Sequence, residues 1–301
     1  MTRILKRILA LVLALAMLGA LTGCVSEEER QGRKEALNAL SDNYSRTYAM
    51  DDGTTIEPIE LYNDNDIIVK LIGITGSSDD MQLVMAIRNG TRKELNLTSD
   101  NLQVNGWGMS SYFDISTIKP HSVTMTNLMG YNDFVNLRSE PVWSVGTNIT
   151  LYDADYNELG AINYTTFTSS YTGDETIEPL EGYTLVDQDG ILIRVTQLTT
   201  GPNGTSISLY SQNNTSRHIY VGTSRTRLNG EPVELWIWND LVSDSRYLDT
   251  ETMSEEDTYD DITVTDSDEL TFYLEVADYD TSTTLISKDI SVSVGDLLAL
   301  N

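Results

Sequence analysis

Apolar residues are distributed along this chain in two unlike ways. Residues 8–21 form one unbroken apolar run. Downstream, hydrophobic positions come only in short β-branched or aliphatic runs, at 67–74, 82–87, 123–128 and 149–152, then at 191–195, 206–210, 233–238, 270–276 and 290–294. Clusters of Gly, Asn, Asp and Ser separate them, the punctuation of a chain that turns often. No downstream stretch carries a long helical stripe, although 27–40 could form a short, heavily charged helix. Asn105-Gly106 and Asn229-Gly230 each sit between strand-like flanks. Asn-Gly suits the type I′ turn, whose twist matches that of paired strands, so each pair predicts a hairpin.

The two sets of runs are copies. Thr55-Ile56-Glu57-Pro58 recurs as Thr176-Ile177-Glu178-Pro179. From there a constant spacing of 124 residues relates Ile67 to Ile191, Asn89 to Asn213, Thr91 to Thr215 and Leu95 to Ile219. It also relates Val104-Asn105-Gly106 to Leu228-Asn229-Gly230. A repeat of this length, with roughly seven short strands in each copy, predicts an all-β fold of two tandem immunoglobulin-like β-sandwich domains. The copies are placed at 55–168 and 176–301, with a linker at 169–175 and a charged stalk at 24–54.

The first apolar run is too short to span a bilayer, which takes about 20 residues, but it has the length of a signal-peptide core. Arg3, Lys6 and Arg7 precede it. Leu21-Thr22-Gly23-Cys24 follows, and this resembles the lipobox of bacterial lipoproteins. The resemblance implies cleavage after residue 23 and a lipid on Cys24, the only cysteine of the chain. Two or more acyl chains hold a protein stably on a membrane. The expected address is therefore extracytoplasmic and lipid-anchored. With Cys24 committed to the anchor, no internal disulfide is available, so core burial must hold the fold together. The order of signal, lipobox, charged stalk and paired units is similar to that of Gram-positive surface lipoproteins with immunoglobulin-like repeats. That likeness implies a fold and a location and carries over no catalytic residue.

The net charge is −27. Cleavage would remove three basic residues and no acid, leaving −30. A chain so acidic repels nucleic acid, which is excluded as a partner. The motifs of serine hydrolases, zinc proteases and phosphate-binding loops are absent. The two histidines, His121 and His218, do not correspond under the repeat spacing. No carboxylate pair stands out as a hydrolase dyad. The chain is expected not to be an enzyme.

Two surfaces remain. In 233–238, Val233, Leu235 and Ile237 alternate with Glu234, Trp236 and Trp238, which places both indoles on the outer face, either covered there by a neighbouring domain or loop or open as a binding surface for a glycan or a surface protein. Asp-x-Asp occurs before the first long run of each copy, as Asp64/Asp66 and Asp187/Asp189. Clustered carboxylates can hold Ca2+, while Asp is also a common turn residue. The leading expectation is a non-catalytic surface binding module. A calcium-stabilised spacer is the alternative, and a hydrolase comes third.

Overall fold

The computed structural model describes residues 27–41, 44–77, 80–131, 141–202, 204–255 and 260–300. The expected signal peptide and Cys24 lie outside these residues. Among the described residues no helix is long and apolar enough to cross a membrane.

The class is all-β, as the short-run pattern predicts. After helix α1 (Glu27–Ala39) come β1 (Ile59–Asp64), β2 (Ile67–Thr75), β3 (Gln82–Asn89), β4 (Leu95–Thr98), β5 (Leu102–Val104) and β6 (Trp107–Phe113). They are followed by β7 (Thr117–Ile118), β8 (Ser122–Tyr131), β9 (Ser144–Asp153) and β10 (Glu158–Thr168). The second half holds β11 (Tyr183–Gln188), β12 (Ile191–Gly201), β13 (Gly204–Asn213), β14 (Ile219–Leu228) and β15 (Glu231–Glu234). It continues with β16 (Trp238–Leu241), β17 (Ser245–Glu255), β18 (Glu269–Asp278), β19 (Thr284–Ser293) and a terminal turn of helix, α2 (Val294–Leu298).

Strand pairing in the second half follows that of the first. Antiparallel β1–β2–β3–β8 corresponds to β11–β12–β13–β17, and β4–β9–β10 to β14–β18–β19. The irregularities repeat too. Bulges between Glu60 and Tyr62 and between Leu71 and Gly73 recur between Thr184 and Val186 and between Val195 and Gln197. A bulge fixes local register and twist, so its recurrence at the 124-residue spacing shows the two halves solving one geometric problem in one way. Each half gathers its inward side chains into its own apolar cluster.

Both Asn-Gly pairs are hairpin turns. Asn105 (φ 55°) and Gly106 (φ 78°) join β5 to β6, and Asn229 (φ 52°) and Gly230 (φ 87°) join β14 to β15. Positive φ at both central residues defines the type I′ turn and explains the residue choice.

A buried asparagine closes each copy. Asn89 Nδ2 donates to the carbonyls of Lys93 (2.9 Å) and Ile118 (3.0 Å), while its Oδ1 accepts from Thr91 N–H (3.0 Å) and hydroxyl (2.7 Å). Asn213 Nδ2 donates to the carbonyls of Arg217 (2.8 Å), Leu241 (3.1 Å) and Val242 (2.9 Å), and its Oδ1 accepts from Thr215 N–H (3.0 Å) and hydroxyl (2.7 Å). Each amide ties a turn to a strand far along the sequence, β7 in the first copy and β16 in the second, through backbone carbonyls.

The stalk expected at 24–54 is in large part docked. Ala36 and Ala39 of α1 are fully buried, and Ala39 packs on Ile72 and Ala86, with Leu40, Tyr44 and Met125 alongside. The helix is charged on its other sides, where Glu35 pairs with Arg46. Two alanines three residues apart make a stripe too small to read as a core-facing surface, yet small side chains let the helix backbone lie close to the sheet. Further along, Ala49 bridges Thr55, Met50 bridges Gly76, and Met50, Thr54 and Ile56 are buried.

The two halves meet in an apolar seam. Leu192 and Tyr210 belong to the first half's cluster, where the Trp107 and Tyr210 rings lie 5.8 Å apart. The Arg246 guanidinium lies 5.6 Å from the Trp107 ring, and Arg246 N–H donates to Gly106 O at 2.8 Å. Trp107 and Arg246 form a parallel bridge between β6 and β17. Tyr210 corresponds to Ala86 under the repeat. On one copy that face receives the other copy's hairpin, and on the other it receives α1. The segment after β10 is tied down as well: Ser170 N–H donates to Thr55 O at 2.8 Å, Thr55 N–H donates to the Ser170 hydroxyl at 2.9 Å, and the Tyr171 and Trp143 ring centres lie 6.3 Å apart.

Candidate functional site: an aromatic face on the second copy

The chain between β15 and β16 places the tryptophans. The expected continuous strand at 233–238 is broken at 235–237, because the chain changes partners there. Val233 and Glu234 pair with Glu255 and Ser254 of β17, whereas Trp238 pairs with Gly222 of β14. Thr223 holds the crossing: its N–H donates to Ile237 O (3.1 Å), its hydroxyl donates to Leu235 O (3.1 Å) and accepts from Ile237 N–H (3.2 Å). Alternation survives the break. Leu235 and Ile237 are buried at 4% and 2% exposure, while Trp236 and Trp238 are 71% and 52% exposed.

Around them stands a wider aromatic surface. Along β14 and the residue before it, the side chains of His218, Tyr220 and Ser224 alternate with buried Ile219 and Val221. Trp238 stacks on Tyr220 with ring centres 4.4 Å apart and planes at 12°. Gly222, its cross-strand neighbour, leaves room for this: a Cβ there would lie 3.4 Å from the indole. His218 stacks on Tyr279 at 4.2 Å and is paired with Asp240. Arg225 lies 5.0 Å above the Tyr273 ring. A cleft of about 470 Å3 opens beside Trp236, bordered by Ser224, Arg225, Arg227 and Pro232. Sequence reasoning finds the two tryptophans through alternation. It misses Tyr220, Tyr273 and Arg225, because only the β16–β14–β18 order brings them together.

The first copy lacks this surface. Its β4–β9 pairs, such as Thr98 with Thr150, correspond to Gly222 with Glu275 in β14–β18. On that framework Tyr220 and Tyr273 correspond to Asn96 and Asn148, while the β4–β7 and β14–β16 pairings set Ile115, 43% exposed, at the position of Trp238. Asp114 binds the N–H groups of Ile115 and Asn127 at 2.7 Å, a turn role. The first copy therefore folds without the stacked rings, although it keeps one exposed aromatic, Tyr112, at the position of Trp236.

Beneath the crossing, β17 points acids inward. Asp249 and Glu251 pair with the buried Leu209 and Ile207, and so face the interior. Burial pushes both carboxyls above the ordinary range, and Asp249 accepts the backbone N–H of Trp238. A raised folded-state value means that the folded chain holds its proton more tightly than the unfolded chain, so stability falls as pH rises above the ordinary carboxyl value. Asp249→Asn keeps the acceptor and removes the charge. It should raise the melting temperature near neutral pH, with the gain vanishing below about pH 4, where the unfolded Asp is also protonated. Equal gains at both pH values would show that the charge is not the cause.

The acids considered for calcium are turn and strand residues. Asn65 and Asp66 have φ of 50° and 62° in the β1–β2 turn, and Asp64 Oδ1 accepts Asn65 N–H at 2.8 Å. In the second copy the turn is Asp189-Gly190, and Asp187 lies within β11 opposite Leu192. Asp64/Asp66 and Asp187/Asp189 are thus one residue out of step with the repeat and are not equivalent sites. Among the described residues no group of three or more His, Cys, Asp or Glu is placed to hold a metal ion. The buried acid Asp153 is held by Lys93 (2.6 Å), which with Asn157 keeps its carboxyl far below the usual range.

No protein family and no curated protein matches this sequence. Among solved structures, the YadV chaperone is 15% identical over 75% of this chain and all of its own, with a TM-score of 0.24. A Bacteroides uniformis β-glucuronidase is 11% identical over 72% of this chain, with a TM-score of 0.25. The match spans only 26% of that enzyme. Likeness this slight assigns nothing to the chain.

The face makes a sharp mutational contrast. Leu235→Ala should cost about 2–5 kcal/mol, as a core truncation does. Trp236→Ala should stay within about 0.5 kcal/mol of the parent, as surface changes do. Denaturant unfolding of both variants measures the difference, and equal losses would mean that Trp236 is a packing residue.

Proposed function

We propose that this chain is a membrane-tethered, extracytoplasmic binding module without catalytic activity, built of two tandem immunoglobulin-like sandwiches at 55–168 and 176–301. The observation that carries the reading is the aromatic face. Two exposed indoles stand on the second copy with stacked neighbours, and the first copy has Asn96 and Asn148 where the second has Tyr220 and Tyr273. Exposed aromatic surface costs solubility and suits a partner that covers it. Candidate partners are a glycan or a surface protein.

The tether rests on the lipobox. A lipid on Cys24 would sit three residues before α1, and α1 is docked on the first copy. In this reading the body stands close to the bilayer, without a long free stalk. Cys24→Ser should release the protein from the membrane fraction, since the lipid supplies the anchor. Unchanged fractionation would sink the lipoprotein assignment.

A second reading, a rigid spacer, draws support from the buried seam around Trp107, Tyr210 and Arg246, which favours a fixed angle between the copies. It needs no metal. A binding screen separates the two readings: a binder loses its ligand on Trp236→Ala, and a spacer has none to lose.

A further inference from the structure

We infer that the aromatic face of the second copy is a docking strip for an extended, uncharged oligosaccharide. The inference rests on the binding-module reading and adds the chemistry of the ligand.

The strip is long and narrow. Its stacked pairs follow β14 from His218 to Ser224, a length of roughly 20 Å at about 3.4 Å per residue. In order they are His218 with Tyr279, Tyr220 with Trp238, and Arg225 with Tyr273. Trp236 stands beside the last of these and is the most exposed large hydrophobic residue of the face. Such a row matches a linear polymer whose units repeat along one direction better than it matches a single small molecule.

The composition of the strip is that of a sugar site. Its apolar area is aromatic, because the aliphatic residues of these strands, Val221, Leu274, Val276, Leu235 and Ile237, are all buried. A sugar ring offers a flat C–H face that stacks on an indole or phenol, and hydroxyls at its rim that need planar hydrogen-bonding partners. Those partners are present and already oriented. Asp240 is held by His218, Glu275 accepts the Thr284 hydroxyl at 2.7 Å, and the Arg225 guanidinium lies 5.0 Å over the Tyr273 ring. The rings are preorganised as well, since Trp238 is fixed by Tyr220 and fills the space over Gly222. Fixed side chains lose little freedom on binding. A protein partner would be expected to meet aliphatic side chains among the aromatic ones at the centre of its interface, and the strip offers few, chiefly Pro232 and the half-buried Val233 beside Trp236.

Charge selects among sugars. A chain of net charge −27 repels polyanions. Sulfated or uronic polymers are therefore disfavoured, and neutral ones are favoured.

The test is a titration of the full chain with neutral glucose and N-acetylglucosamine oligomers, from disaccharide to hexasaccharide, followed by tryptophan fluorescence and calorimetry. Affinity should rise with oligomer length. Trp236→Ala and Trp238→Ala should each lower it about ten-fold or more, with the melting temperature of Trp236→Ala unchanged. Tyr112→Ala, which alters the first copy's exposed aromatic at the position of Trp236, should change nothing. Saccharide binding that survives both tryptophan variants, or tighter binding of a sulfated oligomer, would overturn the inference. So would failure of every neutral oligomer while a purified surface protein binds and is lost on Trp236→Ala, an outcome that keeps the binding-module reading. Failure of both ligand classes, with both tryptophan variants indistinguishable from the parent, would remove the two readings together.

Discussion

Asn213→Asp is expected to unfold the second half of the chain. Asn213 is fully buried, and its amide nitrogen faces the carbonyl oxygens of Arg217, Leu241 and Val242. A carboxylate has no proton to donate, so the substitution strips two buried acceptors, Leu241 O and Val242 O, and the part-buried Arg217 O of their partner and sets a charge against their negative ends. Each orphaned buried group costs about 1–3 kcal/mol. Burying an unpaired charge costs more, or forces the group to stay protonated. Set against a total stability of about 5–15 kcal/mol, the sum consumes most of what the fold has. Asn213→Ala avoids the charge and should cost about 3 kcal/mol or more on the same accounting. Denaturant unfolding followed by circular dichroism reads both. Asn89, its counterpart, should respond in the same direction in the first half. A melting temperature for Asn213→Asp close to the parent's would mean that the turn is held by strand pairing alone.

How far the fold is legible in the sequence depends on the distance over which each signal acts. The Asn-Gly hairpins act over two residues, and both are read correctly, because positive φ at consecutive positions leaves few residue choices. Alternation acts over two-residue steps, and it places Leu235, Trp236, Ile237 and Trp238 on their proper sides even though the strand breaks among them. The break is invisible because Thr223, a residue of another strand, makes it. The docking of α1 is missed for a different reason: Ala36 and Ala39 are buried by being small, Ala39 against Ile72 and Ala86, and alanine gives only a weak hydrophobic signal. The Asp-x-Asp pairs are ambiguous in the sequence because the residue that suits a turn also suits calcium; in the fold Asp64 and Asp187 lie in β1 and β11, and Asp66 and Asp189 in the turns that follow. The aromatic face beyond the two tryptophans is assembled from β14, β16 and β18, and the residue spacing within any one of them says nothing about the others.

The seam is legible only in the structure, and it yields the other large effect. Trp107→Ala should cost about 3–5 kcal/mol, as the truncation of a buried tryptophan does. The indole is 3% exposed, is part of the first copy's cluster, and meets Tyr210 and Arg246 of the second copy. Its loss should therefore be felt on both sides. A double-mutant cycle with Tyr210→Ala should give a coupling of about 0.5–3 kcal/mol, the range for residues in contact. Trp107→Phe should be far milder. The buried Nε1–H of Trp107 has no hydrogen-bond partner, so phenylalanine keeps ring contact and discards a donor whose burial is itself costly. Calorimetry offers an independent reading. If the seam makes the two copies one cooperative unit, the parent melts in a single transition and Trp107→Ala splits it. Two transitions in the parent, with no coupling in the cycle, would mean that the copies are joined only by their connecting segment, and the rigid-spacer reading would lose its support.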